Sequence, residues 1–173
     1  MELNSYIEEF KVNNYSHFTS FYNATSKQVY FTAYGILKDS SEAEDIMQDT
    51  YIAFLNNIDS FKVGTNIYGY LTTIARNKSI NLYNKNKREV HNDEILNFIP
   101  DETTKPHYEE DANVEAILNL LDNQLEREIV VYHVLLDYKF VDISKIMDMK
   151  LGTVLWRYNK AMKYLREKVK DYA

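Results

Sequence analysis

The sequence predicts an all-α protein made of two small helical domains, and three observations carry that expectation. Only 4 Gly and 2 Pro occur in 173 residues, too few to punctuate strands joined by tight turns. Apolar residues recur at helical spacing through most of the chain. Between about Glu89 and Asp111 that spacing dissolves, and both prolines, Pro100 and Pro106, lie there among Asp, Glu, Asn and Thr. The expected division is a domain at 1–90, a linker at 91–111 and a second domain at 112–173.

In chain order, residues 16–38 read as a helix whose stripe is Phe18, Phe21, Tyr22, Thr25, Val29, Ala33, Ile36 and Leu37. A second helix opens on a capping box, with Ser41 accepting from the amide of Glu44 and the Glu44 side chain reaching back. Glu42, Glu44 and Asp45 suit the positive end of its dipole. Its apolar face is Ala43, Ile46, Met47, Thr50, Tyr51, Phe54, Leu55 and Ile58. After a loop at Asp59–Asn66, a third helix carries Ile67, Tyr70, Leu71, Ile74, Ala75 and Leu82, and the three stripes can bury one another as a bundle. Within the linker, Ile95, Leu96, Phe98 and Ile99 form a small apolar cluster suited to docking on a neighbour.

Periodicity resumes at Val114, Ile117, Leu118 and Leu121, then Leu125, Ile129, Tyr132 and Leu136. A short helix with Phe140, Ile143, Ile146 and Met147 follows, then a turn at Asp148–Thr153, then a longer basic helix. That layout is a helix-turn-helix, which makes DNA the first partner to consider. At about 100° per residue, Val154, Tyr158, Ala161, Leu165 and Val169 share the buried side of the last helix, and Trp156, Asn159, Lys160 and Lys163 lie opposite. Asn159 can read a base edge, and the lysines can take phosphates or guanine. Trp156 fits either a core or an outward contact.

Charge is zoned. Residues 101–133 hold nine carboxylates against Lys105 and Arg127, whereas residues 134–173 hold nine Lys or Arg against five acids. No carboxylate lies between Asp59 and Glu89, while Lys62, Arg76, Lys78, Lys85, Lys87 and Arg88 do. Phosphate binding depends on the local field, so a net charge of -6 does not veto nucleic acid. With no Cys, thiolate metal sites and disulfides are excluded. His17, His91, His107 and His133 are scattered, with no metal-ligand spacing, no phosphate-cradling glycine loop and no nucleophile elbow, so neither an enzyme nor a cofactor is expected. No basic leader precedes an apolar run at the N-terminus and no stretch reaches membrane-spanning length, so a cytoplasmic protein without membrane insertion is expected.

Two separated segments then resemble one family. Glu42-Ala43-Glu44-Asp45-Ile46-Met47-Gln48-Asp49-Thr50-Tyr51 is similar to the Asp-Ala-Glu-Asp-Leu-Val-Gln-Glu-Thr-Phe signature of bacterial extracytoplasmic-function (ECF) sigma factors, of the sigma-70 superfamily. Tyr70-Leu71-Thr72-Thr73-Ile74-Ala75-Arg76-Asn77 resembles the family's Trp-Leu-x-x-Ile-Ala-Arg-Asn and is followed by a basic tail. In the second half, Ile143-Ser144-Lys145-Ile146-Met147, Gly152-Thr153-Val154 and Arg157 resemble Ile-Ala-x-Ile-Leu and Gly-Thr-Val-x-x-Arg.

The resemblance implies a transcription initiation factor with a region-2-type bundle and a region-4-type helix-turn-helix. Its second helix would dock on a coiled coil of the largest subunit of core RNA polymerase through Glu44, Asp45, Gln48, Asp49 and Ile52. The loop and the start of the third helix would capture a flipped base of melted promoter DNA with Lys62, Thr65, Asn66, Tyr68 and Tyr70, Tyr70 also fitting the core stripe and Tyr68 lying off it. Arg76, Lys78, Lys85, Lys87 and Arg88 would hold phosphates. Thr153, Trp156, Arg157, Asn159, Lys160 and Lys163 would face the upstream promoter element, and an anti-sigma factor is a further implied partner. The chain departs from the family at Asn81, where Asp is usual, and at Leu155-Trp156, where Lys-Ser is usual. The competing readings are a helix-turn-helix regulator that acts without polymerase and a sigma-like protein that binds polymerase but cannot start transcription.

Overall fold

The computed structural model describes residues 3–92 and 109–171, all of whose regular structure is helical. Helices α1 (Leu3–Lys11), α2 (Phe18–Leu37), α3 (Ser40–Asn56) and α4 (Ile67–Asn92) form the first half. The second half comprises α5 (Glu109–Asn119), α6 (Gln124–Val130), a π-helical turn (Val131–Leu135), α7 (Phe140–Ile146) and α8 (Leu151–Asp171). The all-α expectation holds. The apolar cluster expected at Ile95–Ile99 lies outside the described residues.

α1 is an element the sequence reading did not anticipate. Ile7 and Phe10 are fully buried, Phe10 meets Phe21 edge-on at 5.4 Å, and Lys11 Nζ donates to the carbonyl of Phe61 at 2.6 Å. α3 opens two residues earlier than the Ser41 box predicts. Lys38, in the left-handed region at φ 61, ends α2 and turns the chain so that Asp39 is extended. The Asp39 carboxylate then accepts from Glu42 N at 2.8 Å and caps the helix. The box partner Glu42 turns away and accepts from Asn86 Nδ2 at 2.8 Å, tying α3 to α4.

α4 runs on to Asn92 and α5 begins at Glu109, so helix occupies both margins of the stretch expected as linker. No proline interrupts α4, and its last turns are rich in helix-tolerant Lys, Arg and Glu, with Lys85 and Glu89 3.8 Å apart. Asp111, placed by the sequence at the end of the expected linker, is only 6% exposed and pairs with Lys27 at 3.1 Å. Leu151-Gly152-Thr153, read as turn, forms the first turn of α8. The real turn is tighter, with Asp148 at φ 50 taking the left-handed position that follows a helix.

The core sits around α2. Its predicted stripe is buried on α3 and α4, with Phe21 stacked on Phe54 at 5.5 Å and Tyr51 hydrogen-bonded to Thr25 at 2.6 Å. From Val29 to Ile36, however, every residue of α2 is buried, because the second half covers the opposite side. Leu118, Leu121, Val130 and Val131 join the same apolar cluster as the first-half helices. A second, smaller cluster of Ile129, Tyr132, Ile143, Met147 and Val154 holds the helix-turn-helix together. Val169, predicted in the buried stripe of α8, is 47% exposed, because α8 extends past the last helix available to cover it.

Polar seams line the α2–α5 contact. Tyr30 donates to Glu115, and Tyr34 donates to Asn119 Oδ1 at 2.9 Å. Burial, and then the nearby Glu115 carboxylate, push the Tyr34 phenol up from its ordinary 10.0 to about 12. Burial also pushes Tyr30 upward. A phenol whose pKa is raised on folding contributes stability that is complete below its unfolded value and is lost as pH rises through its folded value. Stability is therefore expected to fall as pH climbs from 10.0 to about 12. Tyr34→Phe should flatten that loss, as followed by urea unfolding at stepped pH. An unchanged pH profile in the variant would show that this phenol does not contribute.

Candidate polymerase and nucleic-acid interfaces

The expected polymerase edge is a continuous exposed strip of α3. Ala43, Ile46, Met47, Thr50, Tyr51 and Phe54 are buried, which leaves Asp45, Gln48, Asp49 and Ile52 in solvent and Glu44 half-buried at the margin. Their spacing of three or four residues places them along one side of the helix. Such a strip offers two carboxylates, an amide and an exposed isoleucine to a partner helix.

The loop before α4 places Lys62, Thr65 and Asn66 in solvent, with Gly64 at φ 94 supplying the left-handed bend. Two of these side chains also have local work. Asn66 Oδ1 accepts from Gly69 N at 3.2 Å and caps α4, and Thr65 Oγ1 donates to the carbonyl of Lys62. Tyr68 is half-buried, its hydroxyl 3.5 Å from the carbonyl of Ala24 and its own carbonyl accepting from Gln28 at 3.2 Å. Tyr70 packs against Phe61 and Phe54 at 5.0 and 6.2 Å, which is the core role its stripe position favours.

Along α4, Lys85, Lys87 and Arg88 are exposed and Lys78 is half-buried. Arg76 stands apart from them. Its side chain is 16% exposed and its Nε donates to Glu128 Oε2 at 2.9 Å. Glu128 is 1% exposed and also accepts from Gln124 at 2.8 Å. Burial pushes its carboxyl above the ordinary range, and Arg76 and the Gln124 bond draw it back. A carboxylate so enclosed holds its cation firmly, because a buried charge stripped of its partner is costly.

On α8, Val154, Ala161 and Leu165 are buried, while Thr153, Trp156, Asn159, Lys160 and Lys163 are exposed. Trp156, 59% exposed, faces outward, with the Lys160 ammonium 5.6 Å and the Arg157 guanidinium 5.8 Å from its ring. Cations over an aromatic face fix the indole at the surface. Lys160 is partly committed, since its Nζ donates to Glu126 on α6 at 2.7 Å. Arg157 is half-buried behind this face. α8 therefore presents Asn159, Lys163 and Trp156 most freely.

These surfaces and this architecture match known proteins. Residues 21–89 match the family described as Sigma-70 region 2. The chain is 26% identical over 186 residues to the ECF RNA polymerase sigma factor SigW of Bacillus subtilis, covering 99% of this chain and 98% of that protein. It is 31% identical over 128 residues to the ECF RNA polymerase sigma factor EcfG of Rhodopseudomonas palustris, covering 71% of this chain and 68% of that one. The chain belongs to the ECF sigma factor family.

Two solved structures share this sigma factor's fold. The sigma factor RpoE of Bartonella quintana, solved in complex with the anti-sigma factor NepR, superposes with a TM-score of 0.69 at 24% identity, covering 88% of this chain and 96% of that one. CnrH, solved in complex with the cytosolic domain of CnrY, gives 0.66 at 17% identity, covering 98% of each chain. Among the described residues of this sigma factor, no helix is long and apolar enough to cross a membrane.

Sequence reasoning missed the residues that join the halves of this sigma factor. Gln28 Nε2 donates to Thr72 Oγ1 at 2.7 Å and to the Tyr138 hydroxyl at 2.9 Å. Arg127, 3% exposed, donates to the carbonyls of Gly35 at 3.1 Å, Ile36 at 3.4 Å and Asp122 at 3.0 Å, and also to that of Leu121. The signal available was the absence of any charged residue between Lys27 and Lys38, which is unusual for a helix with one solvent face. Arg127→Leu should strand the carbonyls at the end of α2 and lower stability by about 1.5–3 kcal/mol, the worth of a charge-assisted hydrogen bond. Urea unfolding checks this, and an unchanged midpoint would show that the guanidinium is not needed there.

Proposed function

We propose that this sigma factor docks on core RNA polymerase through the exposed edge of α3 and brings it to promoters. The loop at 61–66 and α4 engage the melted downstream element, and the outward face of α8 reads the upstream element. The division of labour follows the two halves, 1–90 for polymerase and the melted strand and 112–173 for duplex DNA. The observation that supports it most directly is a pair of solvent-facing surfaces: Asp45, Gln48 and Asp49 on α3, within the segment that resembles the family's signature, with Ile52 beside them, and Asn159 and Lys163 on the outward face of α8. Glu44, Lys62, Thr65, Asn66, Tyr68, Lys78, Lys85, Lys87, Arg88, Thr153, Arg157 and Lys160 complete the two surfaces. The protein works in the cytoplasm without a cofactor, and an anti-sigma factor is its natural antagonist, a reading supported by the similar RpoE, solved in complex with the anti-sigma factor NepR.

On this reading Asp45→Arg weakens capture of core polymerase while circular dichroism shows an unchanged fold. Unchanged capture would instead favour a helix-turn-helix regulator acting without polymerase.

On α8, Lys163→Ala should weaken binding similarly across promoter sequences and reduce the salt slope by about one, as for one lost phosphate contact. Asn159→Ala should flatten discrimination between promoter variants by about 1–3 kcal/mol. Trp156, the single tryptophan, reports the contact directly, since its emission should change when promoter duplex is added. An emission insensitive to DNA removes α8's outer face from the interface.

A further inference from the structure

We propose that Trp156 is a reader of thymine, seating its indole against the C5-methyl group of one thymine in the upstream promoter element. This rests on assigning the outward face of α8 to that element.

The first observation is where the indole stands. Val154, Ala161 and Leu165 are buried beneath α8, and at about 100° per residue Trp156 falls almost directly opposite them, beside Asn159 and Lys163. It lies near the start of α8, and the N-terminal residues of a recognition helix are the ones that reach base edges. Leu155, also exposed, adjoins it. An apolar ring in water is stabilised only when apolar matter covers it.

The second observation is what that face can meet. Stacked base pairs line the major groove with donors and acceptors, and the one apolar group among them is the thymine methyl. An indole has a single N–H donor and no acceptor, so it cannot form the paired hydrogen bonds by which Arg or Asn read a base. Lys-Ser, usual in the family at these two positions, would offer a cation and a hydroxyl, whereas Leu155-Trp156 offer hydrocarbon. Apolar readout takes the place of polar readout at this point of the helix.

The third observation is how the ring is held. The Lys160 ammonium lies 5.6 Å and the Arg157 guanidinium 5.8 Å from it, and Lys160 is itself anchored by Glu126 at 2.7 Å. A ring held in this way loses little freedom on binding. Cations around it also suit a polyanion better than an apolar protein surface. Four residues earlier, Gly152 is exposed, and a Cβ built there would meet nothing within 4 Å, so no neighbour requires a glycine. Helical side chains lean toward the N-terminus, so a larger residue at 152 would crowd the space beside the indole. Gly152 leaves that space open to a base edge.

The test uses holoenzyme reconstituted from core polymerase and the full chain. Duplexes enriched from a library randomised across the upstream element supply the probe, which is resynthesised with deoxyuridine replacing thymidine at one position at a time. That exchange deletes the methyl group and keeps every hydrogen-bonding group of the base. At one position the parent should bind the deoxyuridine duplex about three- to fivefold more weakly, as for one methyl group returned to water. Trp156→Ser, with its fold checked by circular dichroism, should bind the thymidine duplex at least as weakly and lose nothing further with deoxyuridine, as a shared contact requires. Unchanged parent affinity at every thymine, or an enriched element without an A·T pair, overturns the proposal. A deoxyuridine loss of the same size in Trp156→Ser also overturns it, because another residue would then read the methyl. Weaker capture of core polymerase by Trp156→Ser, with promoter affinity unchanged, would place the indole against protein and overturn it as well. If the parent holoenzyme enriches no upstream sequence, the assignment of α8 itself fails, and the proposal with it.

Discussion

Everything in this structure depends on the enclosure of α2. A helix with one apolar stripe needs one neighbour, but α2 is buried on every side from Val29 to Ile36 and needs several. α3 and α4 cover the stripe that begins at Phe21, and α5, α6 and the π-turn cover the remainder. Gly35 sets the closeness of that second contact. The end of α2 then poses a polar problem, because its last carbonyls have no partner within the helix. Lys38 N answers for Tyr34 at 2.9 Å, and Arg127 reaches across to answer for Gly35 and Ile36. A guanidinium at the negative end of the helix dipole is also electrostatically well placed. Although burial draws its pKa down, arginine's ordinary value lies so high that it remains charged.

The same enclosure determines which charges are free. Acids of the second half face two ways. Asp111, Glu115 and Glu128 reach first-half partners, whereas Glu126 holds Lys160 within its own half. The acidic stretch is therefore not simply a solvated spacer between two cationic zones. Part of it is a set of seated carboxylates, each matched to a hydroxyl or cation, as polar groups this deeply buried must be. Among the cations left in solvent are Lys85, Lys87 and Arg88 on the far turns of α4 and Lys163 on the outer face of α8.

Much of this was legible in the residues. Helix stripes in α2, α3, α4 and α8 can be read from spacing alone, because burial on one neighbour imposes a period of 3.6 that local sequence must carry. The motif blocks at Glu42–Tyr51 and Tyr70–Asn77 likewise point to the family without coordinates. Other features were less visible. α1 carries only Ile7 and Phe10 into the core, a signal too short to separate from chance. The sequence pointed to Ser41 as the start of α3, but Asp39 caps it instead, because the left-handed Lys38 before it turns the chain that way. Trp156 could have faced either way, and it faces outward because Val154 and Ala161 already fill the space beneath α8.

The sequence by itself determined the helical class, the order and faces of most helices, the family, and which surfaces carry motif residues. Those properties are local, written in spacing and side-chain type over a few turns. Only the tertiary structure decided that Arg76 and Lys160 are paired, that Asp111 is buried, and that α2 is shared by both halves. Each of these depends on partners 34 to 84 residues away, Lys160 with Glu126, Arg76 with Glu128 and Lys27 with Asp111. A charge reads the same in sequence whether it faces water or a carboxylate; its availability is settled by what packs against it.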